Sequence, residues 1–316
     1  MSREPLVSII IPTFNRRHFV SDAINSGLAQ THAHCEIIVV DDGSGDDTVA
    51  FLRQQYGEQI RLFSQANQGP GIARNRGIAE ARGEFIHFLD ADDQLLPHNV
   101  ATCLKVFRRR PEISVVYSHY QFVGLDGRSP QDTPPFEQFS ENPFCELLAK
   151  TGCHILISSS MFRAAALRSV GGFAADTRFR SAEDWDLFLR LARQHKFYGS
   201  DQRLVLRRMH ADMLSDDKLL GAWGRLKTVQ NARNYGWEAC MSADEFDRKE
   251  ASRHHMLALY LWQQGERRRA RHHFEQAMAI CPPEARPRRL FWLFTWLLPA
   301  ASMIWTSRIA RAMPRR

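Results

Sequence analysis

The segment Asp90-Ala91-Asp92-Asp93 places three carboxylates within four residues, directly after the apolar run Phe85–Leu89. Carboxylates at a strand end can converge on one Mg²⁺ or Mn²⁺ ion, because both cations prefer oxygen ligands. Such an ion would neutralise a leaving diphosphate. Three clustered acids are also common on solvated surfaces, so this segment alone does not distinguish a metal site from an acidic turn.

A second acidic turn, Asp41-Asp42-Gly43-Ser44, follows the apolar run Glu36–Val40. One of its carboxylates could accept the N–H of a uracil ring, and Gly43 would let the backbone approach a ligand closely. An Asp-Gly pair is equally typical of a plain turn.

The segment Asn67–Gly77 carries two glycines at the start of a helical pattern. The amides of a helix N-terminus can face a phosphate, and Arg74 or Arg76 could add a positive charge. A turn followed by Pro70 at the first helical position explains the same residues without a ligand.

Asp184 belongs to Ser181-Ala182-Glu183-Asp184, before an apolar helical run. Ser181 and Asp184 fit the spacing of a capping box, which is a purely structural role. Alternatively, Asp184 is a general base: the helix dipole would lower its basicity, and burial under an acceptor would raise it.

His210, after the apolar run Leu204–Met209, could complete a metal or phosphate site, although a lone histidine is more often structural.

The elements that must position these residues alternate in the first half of the chain. The apolar runs predict strands at Leu6–Ile11, Glu36–Val40, Ile60–Ser64, Glu84–Leu89, Ile113–Tyr117, Ile155–Phe162 and Leu204–Met209. Helical periodicity falls at His18–Gln30, Asp46–Gln55, Gly71–Ala81, Asn99–Arg109 and Ala182–Arg193. This alternation predicts a three-layer α/β/α fold with a mostly parallel sheet. Ligands of such sheets bind beyond the carboxyl ends of the strands, which selects Pro12–Asn15, Asp41–Ser44, Asn67–Gly71 and Asp90–Asp93 as one crevice.

The composition is that of an ordinary globular protein, with 316 residues and a formal charge of +7. Seven arginines from Arg286 onward account for that charge, so residues 1–285 are formally neutral and we do not expect them to bind nucleic acid. The six cysteines form no C-x-x-C pair, and the N-terminus has no export-signal pattern. We therefore expect free thiols and a cytoplasmic location.

The C-terminal part has a different pattern. The expected division is a catalytic domain at 1–235, a tetratricopeptide-like helical hairpin at 236–285 and a basic-aromatic tail at 286–316. The uncharged run Leu290–Trp305 contains three tryptophans and Pro299, and arginines flank it. It is shorter than the about 20 residues of a membrane span. These features favour peripheral contact with the cytoplasmic face of a membrane, and a buried core helix is the alternative.

Taken in order along the chain, these motifs resemble the family 2 glycosyltransferases of the GT-A fold. The resemblance covers about residues 5–215. It extends to the opening Val7–Arg16, the Asp41–Ser44 turn, the segment Asn67–Gly77, the D-x-D turn at Asp90–Asp92 and the E-D-x-x-L-x-x-R element that begins at Glu183. No obvious Q-x-x-R-W motif is present, which argues against the processive cellulose- or hyaluronan-synthase type.

The resemblance implies an enzyme that moves a sugar from a nucleotide sugar, expected to be a UDP-sugar, to a hydroxyl acceptor with inversion. It assigns Asp184 as the catalytic base, and Asp92 and His210 as ligands of Mn²⁺ or Mg²⁺. The implied nucleotide-sugar-binding residues are Pro12, Thr13, Asn15, Asp42, Asn67, Gly71, Arg74, Asp90 and Ala91. The partners expected are that donor, a glycan or lipid-linked acceptor, and a membrane surface that the tail contacts.

Two other functions are compatible with the same pattern. A nucleotidyltransferase also uses an α/β sheet and metal-bound carboxylates, but it usually has a glycine-rich basic loop where this chain has Pro12–Asn15. The second alternative is a non-enzymatic scaffold that presents the C-terminal helices to a partner. The intact set Asp42, Asp92 and Asp184 argues against this alternative.

Overall fold

The computed structural model describes residues 4–129, 133–177, 179–210 and 217–282. Its strands are β1 Val7–Thr13, β2 Cys35–Asp41, β3 Arg61–Ser64, β4 Phe85–Phe88, β5 Gln94–Leu95, β6 Ile113–Val123, β7 Ser160–Arg163 and β8 Lys196–Arg208. Its helices are α1 Val20–Leu28, α2 Thr48–Tyr56, α3 Pro70–Glu80, α4 Asn99–Arg109, α5 Phe144–Ala149, α6 Ala164–Ser169, α7 Glu183–Ala192, α8 Lys218–Ala232, α9 Ala243–Gln263 and α10 Arg267–Ile280.

All of these strands belong to one mixed sheet in the order β3-β2-β1-β4-β7-β6-β8-β5. The strands β3, β2, β1 and β4 run parallel, as do β6 and β8. Strands β7 and β5 are antiparallel to their neighbours. Parallel neighbours need crossover connections, and the helices in those crossovers cover the sheet.

Side chains of β1 show how both faces of the sheet are buried. Ile10 packs in a cluster with residues of α3 and α7 on one face. Ile9 and Ile11 point to the other face and pack with residues of α1, α2 and α4. The predicted three-layer α/β/α architecture is therefore confirmed, with helices on both sides of a central sheet.

The strand predicted at 155–162 is only half correct. Residues Ile157–Ser159 form a helical turn, and β7 begins at Ser160. The hydroxyls of Ser159 and Ser160 both donate to the carbonyl oxygen of Leu156, at 2.8 and 3.0 Å. Such local bonds compete with a strand ladder, so the apolar run does not extend as a strand.

The helices α8, α9 and α10 share a small core of their own. It is formed by Ala222, Leu226, Leu257, Ala258, Leu261, Ala270 and Phe274. Helix α8 also packs into the main core through Val229 and Ala232, and α9 does so through Phe246. The proposed boundary near residue 235 therefore falls between two helices that both contact the sheet domain, and it stays a prediction.

Cys145 and Cys240 form a disulfide between α5 and the segment that leads into α9. The expectation of six free thiols is therefore wrong for this pair, which lies 95 residues apart in sequence. The described cysteines Cys35, Cys103, Cys153 and Cys281 are free.

Within the described ranges, no helix is both long and apolar enough to cross a bilayer. The tail prediction, residues 286–316, lies outside the described residues.

Candidate active site

A cleft of about 380 Å³ opens at the carboxyl ends of β1, β2 and β4. Most of the predicted site residues line it, namely Pro12, Thr13, Asp42, Asn67, Arg74, Asp90, Ala91, Asp92 and Asp184. They come from segments far apart in sequence, and the parallel strands bring them together at one edge of the sheet.

The acidic turn after β4 gathers its carboxylates. One carboxylate oxygen from each of Asp90, Asp92 and Asp93 lies within 4.8 Å of the others. Asp93 is buried and accepts the backbone N–H of Arg208 at 3.2 Å, which ties the end of β8 to the turn. Burial raises the pKa of the Asp93 carboxyl well above its ordinary value, and the charges of Asp92 and Asp90 add to this effect.

His210 lies beside this turn, with Nε2 at 3.0 Å from Oδ2 of Asp92. Its ring stacks on Phe19 at a centroid distance of 4.8 Å, which fixes its orientation. The Nε atom of Arg16 lies 3.9 Å from the same Asp92 oxygen. Clustered carboxylate oxygens beside one imidazole form a donor set that suits Mn²⁺ or Mg²⁺. The residues present therefore fit the divalent cation that the sequence implies.

Arg74 connects the acidic turn after β4 to the start of α7. It is almost fully buried, and its terminal nitrogens donate at 2.7 Å to Asp90 and at 2.7 Å to Glu183. These two carboxylates raise the pKa of the guanidinium against the effect of burial. Because both terminal nitrogens face carboxylates, Arg74 orients Asp90 and the start of α7 rather than pointing at a diphosphate.

Asp184 lies in the first turn of α7, and the predicted capping box with Ser181 does not form. The residue before the helix is Ala182, in the left-handed conformation with φ of 62°, and no side chain caps the helix. The Oδ1 atom of Asp184 instead accepts the adjacent Trp185 N–H at 2.7 Å. Burial, followed by the charge of Glu183, raises the pKa of Asp184 to about 7. A carboxylate with that pKa is suited to accept a proton near neutral pH.

Asp184 also borders a second pocket of about 470 Å³. Aromatic and imidazole rings line one side of it, and we call it the aromatic pocket, with Tyr117, His119, Tyr120, Phe136, Arg207 and Arg225 among its walls. Asp184 therefore lines both cavities, between the cleft and the aromatic pocket.

Helix α8 supports the loop just before Asp184, at Ser181 and Ala182. The hydroxyl of Thr228 donates at 3.2 Å to the carbonyl oxygen of Ala182. A Cβ atom placed at Gly224 would overlap the carbonyl oxygen of Ser181, so the helix and this loop touch backbone to backbone.

We expect Gly224→Ala to lower turnover by displacing Ser181 and Ala182, and with them Asp184. A shift of about 1 Å in a catalytic group can cost about 100-fold in rate. The measurement is kcat together with KM for the donor. Unchanged kcat in a folded Gly224→Ala protein would contradict this role of α8.

Asp42 is buried at the wall of the cleft and holds the loop before α3. Its Oδ1 accepts from Gln65 Nε2 at 2.9 Å and from Gln68 N at 3.0 Å, and its Oδ2 accepts from Gly69 N at 2.7 Å. Within the described part of the chain the Oδ2 atom accepts one hydrogen bond, which leaves it an acceptor position for a further donor.

Asn15 and Gly71 lie just outside the cleft lining. The N–H of Asn15 donates to the Ser44 hydroxyl at 2.9 Å, and the Asn15 side chain accepts the Gly45 N–H at 2.8 Å, which joins the loops after β1 and β2. Gly71 lies beside Glu183, where an added Cβ would be 3.3 Å from the Glu183 Cγ atom. Both residues therefore shape the cleft through its supporting loops.

Sequence reasoning missed four polar residues that also shape this site. They are Arg16, Ser158, Arg180 and Arg207; the arginines line the cleft, and the Ser158 hydroxyl accepts the N–H of Asp90. It also gave Glu183 no role of its own, although Glu183 is the second partner of Arg74. Only proximity to the recognised motifs could have singled out Arg16 and Glu183.

Residues 8–171 match the family model described as glycosyl transferase family 2. The chain is 30% identical to hyaluronan synthase of Pasteurella multocida over 260 residues, which is 81% of this chain and 26% of that protein. It is 32% identical over 214 residues to an uncharacterized glycosyltransferase of Rickettsia typhi, covering 65% of this chain and 64% of that protein. The chain thus spans about a quarter of the larger relative and under two thirds of the smaller one.

Solved structures with the same fold include residues 1–349 of S. aureus TarS in complex with UDP-GlcNAc. Its TM-score is 0.64 at 18% identity, with coverage of 88% of this chain and 82% of that one. A second is the mannosyltransferase PcManGT from Pyrobaculum calidifontis in complex with GDP-Man and Mn²⁺. Its TM-score is 0.57 at 17% identity, with coverage of 99% of this chain and 82% of that one.

The mixed sheet, with its acidic turns at the carboxyl edge, therefore has the GT-A fold of glycosyltransferases. The chain belongs to glycosyl transferase family 2.

Proposed function

We propose that this protein transfers a sugar from a nucleotide sugar to an acceptor hydroxyl by single displacement with inversion. The observation that carries the proposal is the position of Asp184, whose pKa is raised to about 7, at the junction of the cleft and the aromatic pocket. A base between two substrate cavities suits direct displacement, in which no covalent sugar–enzyme intermediate is needed.

In this mechanism the cleft binds the donor. Asp42 Oδ2 would accept the N–H of a uracil ring, and Asp90, oriented by Arg74, would contact the sugar or the ribose. The comparison structures bound to UDP-GlcNAc and to GDP-Man support a nucleotide sugar as the donor class. The acceptor position on Asp42 suits the ring N–H of uracil or of guanine, and the resemblance of the Asp41–Ser44 turn supports the uridine form.

Asp92 and His210 would hold a divalent cation, for which Mn²⁺ in the mannosyltransferase complex is the precedent. When bound, that cation would stabilise the charge that develops on the diphosphate. The chain's own residues then have one proton to move: Asp184 accepts it from the acceptor hydroxyl as that oxygen attacks the anomeric carbon.

The first test is hydrolysis of a panel of nucleotide sugars by the purified protein with and without Mn²⁺. Each candidate is also screened by thermal shift, because a ligand at 100 times its dissociation constant stabilises the folded state by about 2.7 kcal/mol. We expect one UDP-sugar to bind and to be hydrolysed slowly to UDP in a Mn²⁺-dependent way. In a parallel reaction with UTP and a sugar 1-phosphate, formation of the UDP-sugar with release of pyrophosphate would indicate a nucleotidyltransferase, and absence of binding and turnover in both assays would indicate a scaffold.

We also propose that residues 286–316 bring the enzyme to the cytoplasmic face of a membrane. The support is the sequence alone: an uncharged run with three tryptophans that is flanked by arginines. Removal of the residues after Pro283 should abolish binding to anionic liposomes and leave UDP-sugar hydrolysis intact. Equal sedimentation of both forms with liposomes would contradict the proposal.

A further inference from the structure

Two arginines on neighbouring helices face a third cavity beside the aromatic pocket. Arg225 of α8 and Arg253 of α9, called here the arginine pair, line a cavity of about 270 Å³ together with Thr151, Gly152 and His154. Gly221 stands one helical turn before Arg225, and an added Cβ there would be 3.2 Å from its terminal nitrogens. The guanidinium of Arg225 thus lies against the backbone of its own helix.

Neither member of the arginine pair has a carboxylate partner among the described residues. The Nε atom of Arg253 is buried and has no hydrogen-bond partner there. Glu137, which lines the aromatic pocket together with Arg225, is already occupied by ion pairs with Lys150 and His154. Two guanidinium groups therefore line one cavity, and no carboxylate of the described residues pairs with either.

The electrostatics of the cavity favour an anion. Burial lowers the pKa of Arg253, and the charge of Arg225 lowers it further. Lys249 lies one turn before Arg253, and its ammonium donates to the carbonyl oxygens of Ala149 and Lys150; burial, followed by the charge of Arg253, lowers its pKa to about 8. Like charges held together away from water are unfavourable unless an anion joins them. Arginine forks also match the geometry of carboxylate and phosphate oxygens.

The cavity opens toward the reacting centre. Arg225, Gly152 and His154 line both this cavity and the aromatic pocket, and Asp184 also lines that pocket. An elongated molecule with a hydroxyl at Asp184 would therefore run past Tyr117, on the wall of the aromatic pocket, toward the arginine pair. Aromatic walls suit the apolar faces of sugar rings.

We propose that the arginine pair is an acceptor subsite that binds an anionic group, a carboxylate or a phosphate, on a saccharide acceptor. This assignment rests on the proposed transferase function, because it takes the aromatic pocket as the acceptor side. Binding of the anion itself depends only on Arg225 and Arg253.

The test is calorimetric titration of the full chain with glucose 6-phosphate, glucuronate, methyl glucoside and inorganic phosphate. UDP and Mn²⁺ are present, so that the donor cleft is filled. We expect the two anionic sugars to bind at least about tenfold more tightly than methyl glucoside, because hydrogen bonds to charged groups are the stronger ones. Inorganic phosphate should compete with both.

Arg225→Gln and Arg253→Gln should each weaken binding of the anionic sugars at least about tenfold. Arg248→Gln is the matched control, since this exposed arginine of α9 pairs only with Asp244 in the described residues. Both cavity variants should melt no lower than the wild type without ligand, because a like-charge contact is removed; a merely structural arginine would lower the melting temperature.

Equal affinity for methyl glucoside and the anionic sugars in the wild type would overturn the proposal, and this comparison needs no variant. Unchanged affinity in both glutamine variants would overturn it too. If the wild type hydrolyses no nucleotide sugar, the transferase proposal fails separately, and titration without nucleotide still decides whether the arginine pair binds an anion.

Discussion

Asp184→Asn is expected to lower transfer by about 10²–10⁴-fold and to leave donor binding unchanged, because an amide is nearly isosteric with the carboxylate but cannot accept the proton. Single-turnover transfer measures the loss, and thermal shift with the donor and Mn²⁺ measures binding. Asp186→Asn is unsuitable as a control because Asp186 is buried and bonded to Arg190 and Asn231. Asp47→Asn, at an exposed position, serves instead.

The pH dependence should identify the same carboxylate. Since the pKa of Asp184 is raised to about 7, kcat/KM should fall about tenfold for each pH unit below that value, as the base becomes protonated. A wild-type rate that stays flat from pH 8 to pH 5 would contradict the assignment of Asp184 as the base.

Stability gives an independent check on Asp184. The folded-state pKa of about 7 lies above the ordinary 3.8, so the folded protein holds this proton more tightly and loses stability as the pH rises from about 4 to 7. Asparagine removes that loss. At pH 8 we expect the variant to be more stable than the wild type, by at most about 4 kcal/mol. At pH 4 we expect no such gain in stability, because the wild-type carboxyl is then protonated in the folded state. A residue that served only as a helix cap would show the opposite sign at pH 8.

The placement of the site could be predicted from sequence because its residues follow buried strands. The apolar runs before Asp41 and Asp90 are short and unambiguous, and parallel strands bring their carboxyl ends to one edge. Helix α4 was predicted with the correct bounds, since its apolar positions recur with helical spacing. Sequence order and periodicity were sufficient for this level of description.

The chemistry inside the site could not be predicted in the same way. Arg74 and Glu183 are 109 residues apart, and no local pattern indicates that they pair. The basicity of Asp184 depended on two opposing effects, the helix dipole and burial, and only the packing around α7 decides that burial dominates. The capping box failed because Ala182 adopts a left-handed conformation, which its sequence neighbours do not signal.

Asp92→Ala is expected to abolish Mn²⁺-dependent transfer, with a loss on the order of 10²–10³-fold in kcat, comparable to removal of one group that stabilises developing charge. Asp92 is the member of the acidic turn that contacts both His210 and Arg16, so its removal leaves the remaining carboxylates without the imidazole beside them. His210→Ala should instead raise the Mn²⁺ concentration needed for half-maximal activity, and added Mn²⁺ should restore much of its rate. Asp47→Ala makes the same change in net charge at an exposed position and should behave as the wild type. Equal activity of the wild type in EDTA and in Mn²⁺ would mean that the carboxylates after β4 have a structural role. The positive charge for the diphosphate would then have to come from the cleft arginines other than Arg74, which are Arg16, Arg180 and Arg207.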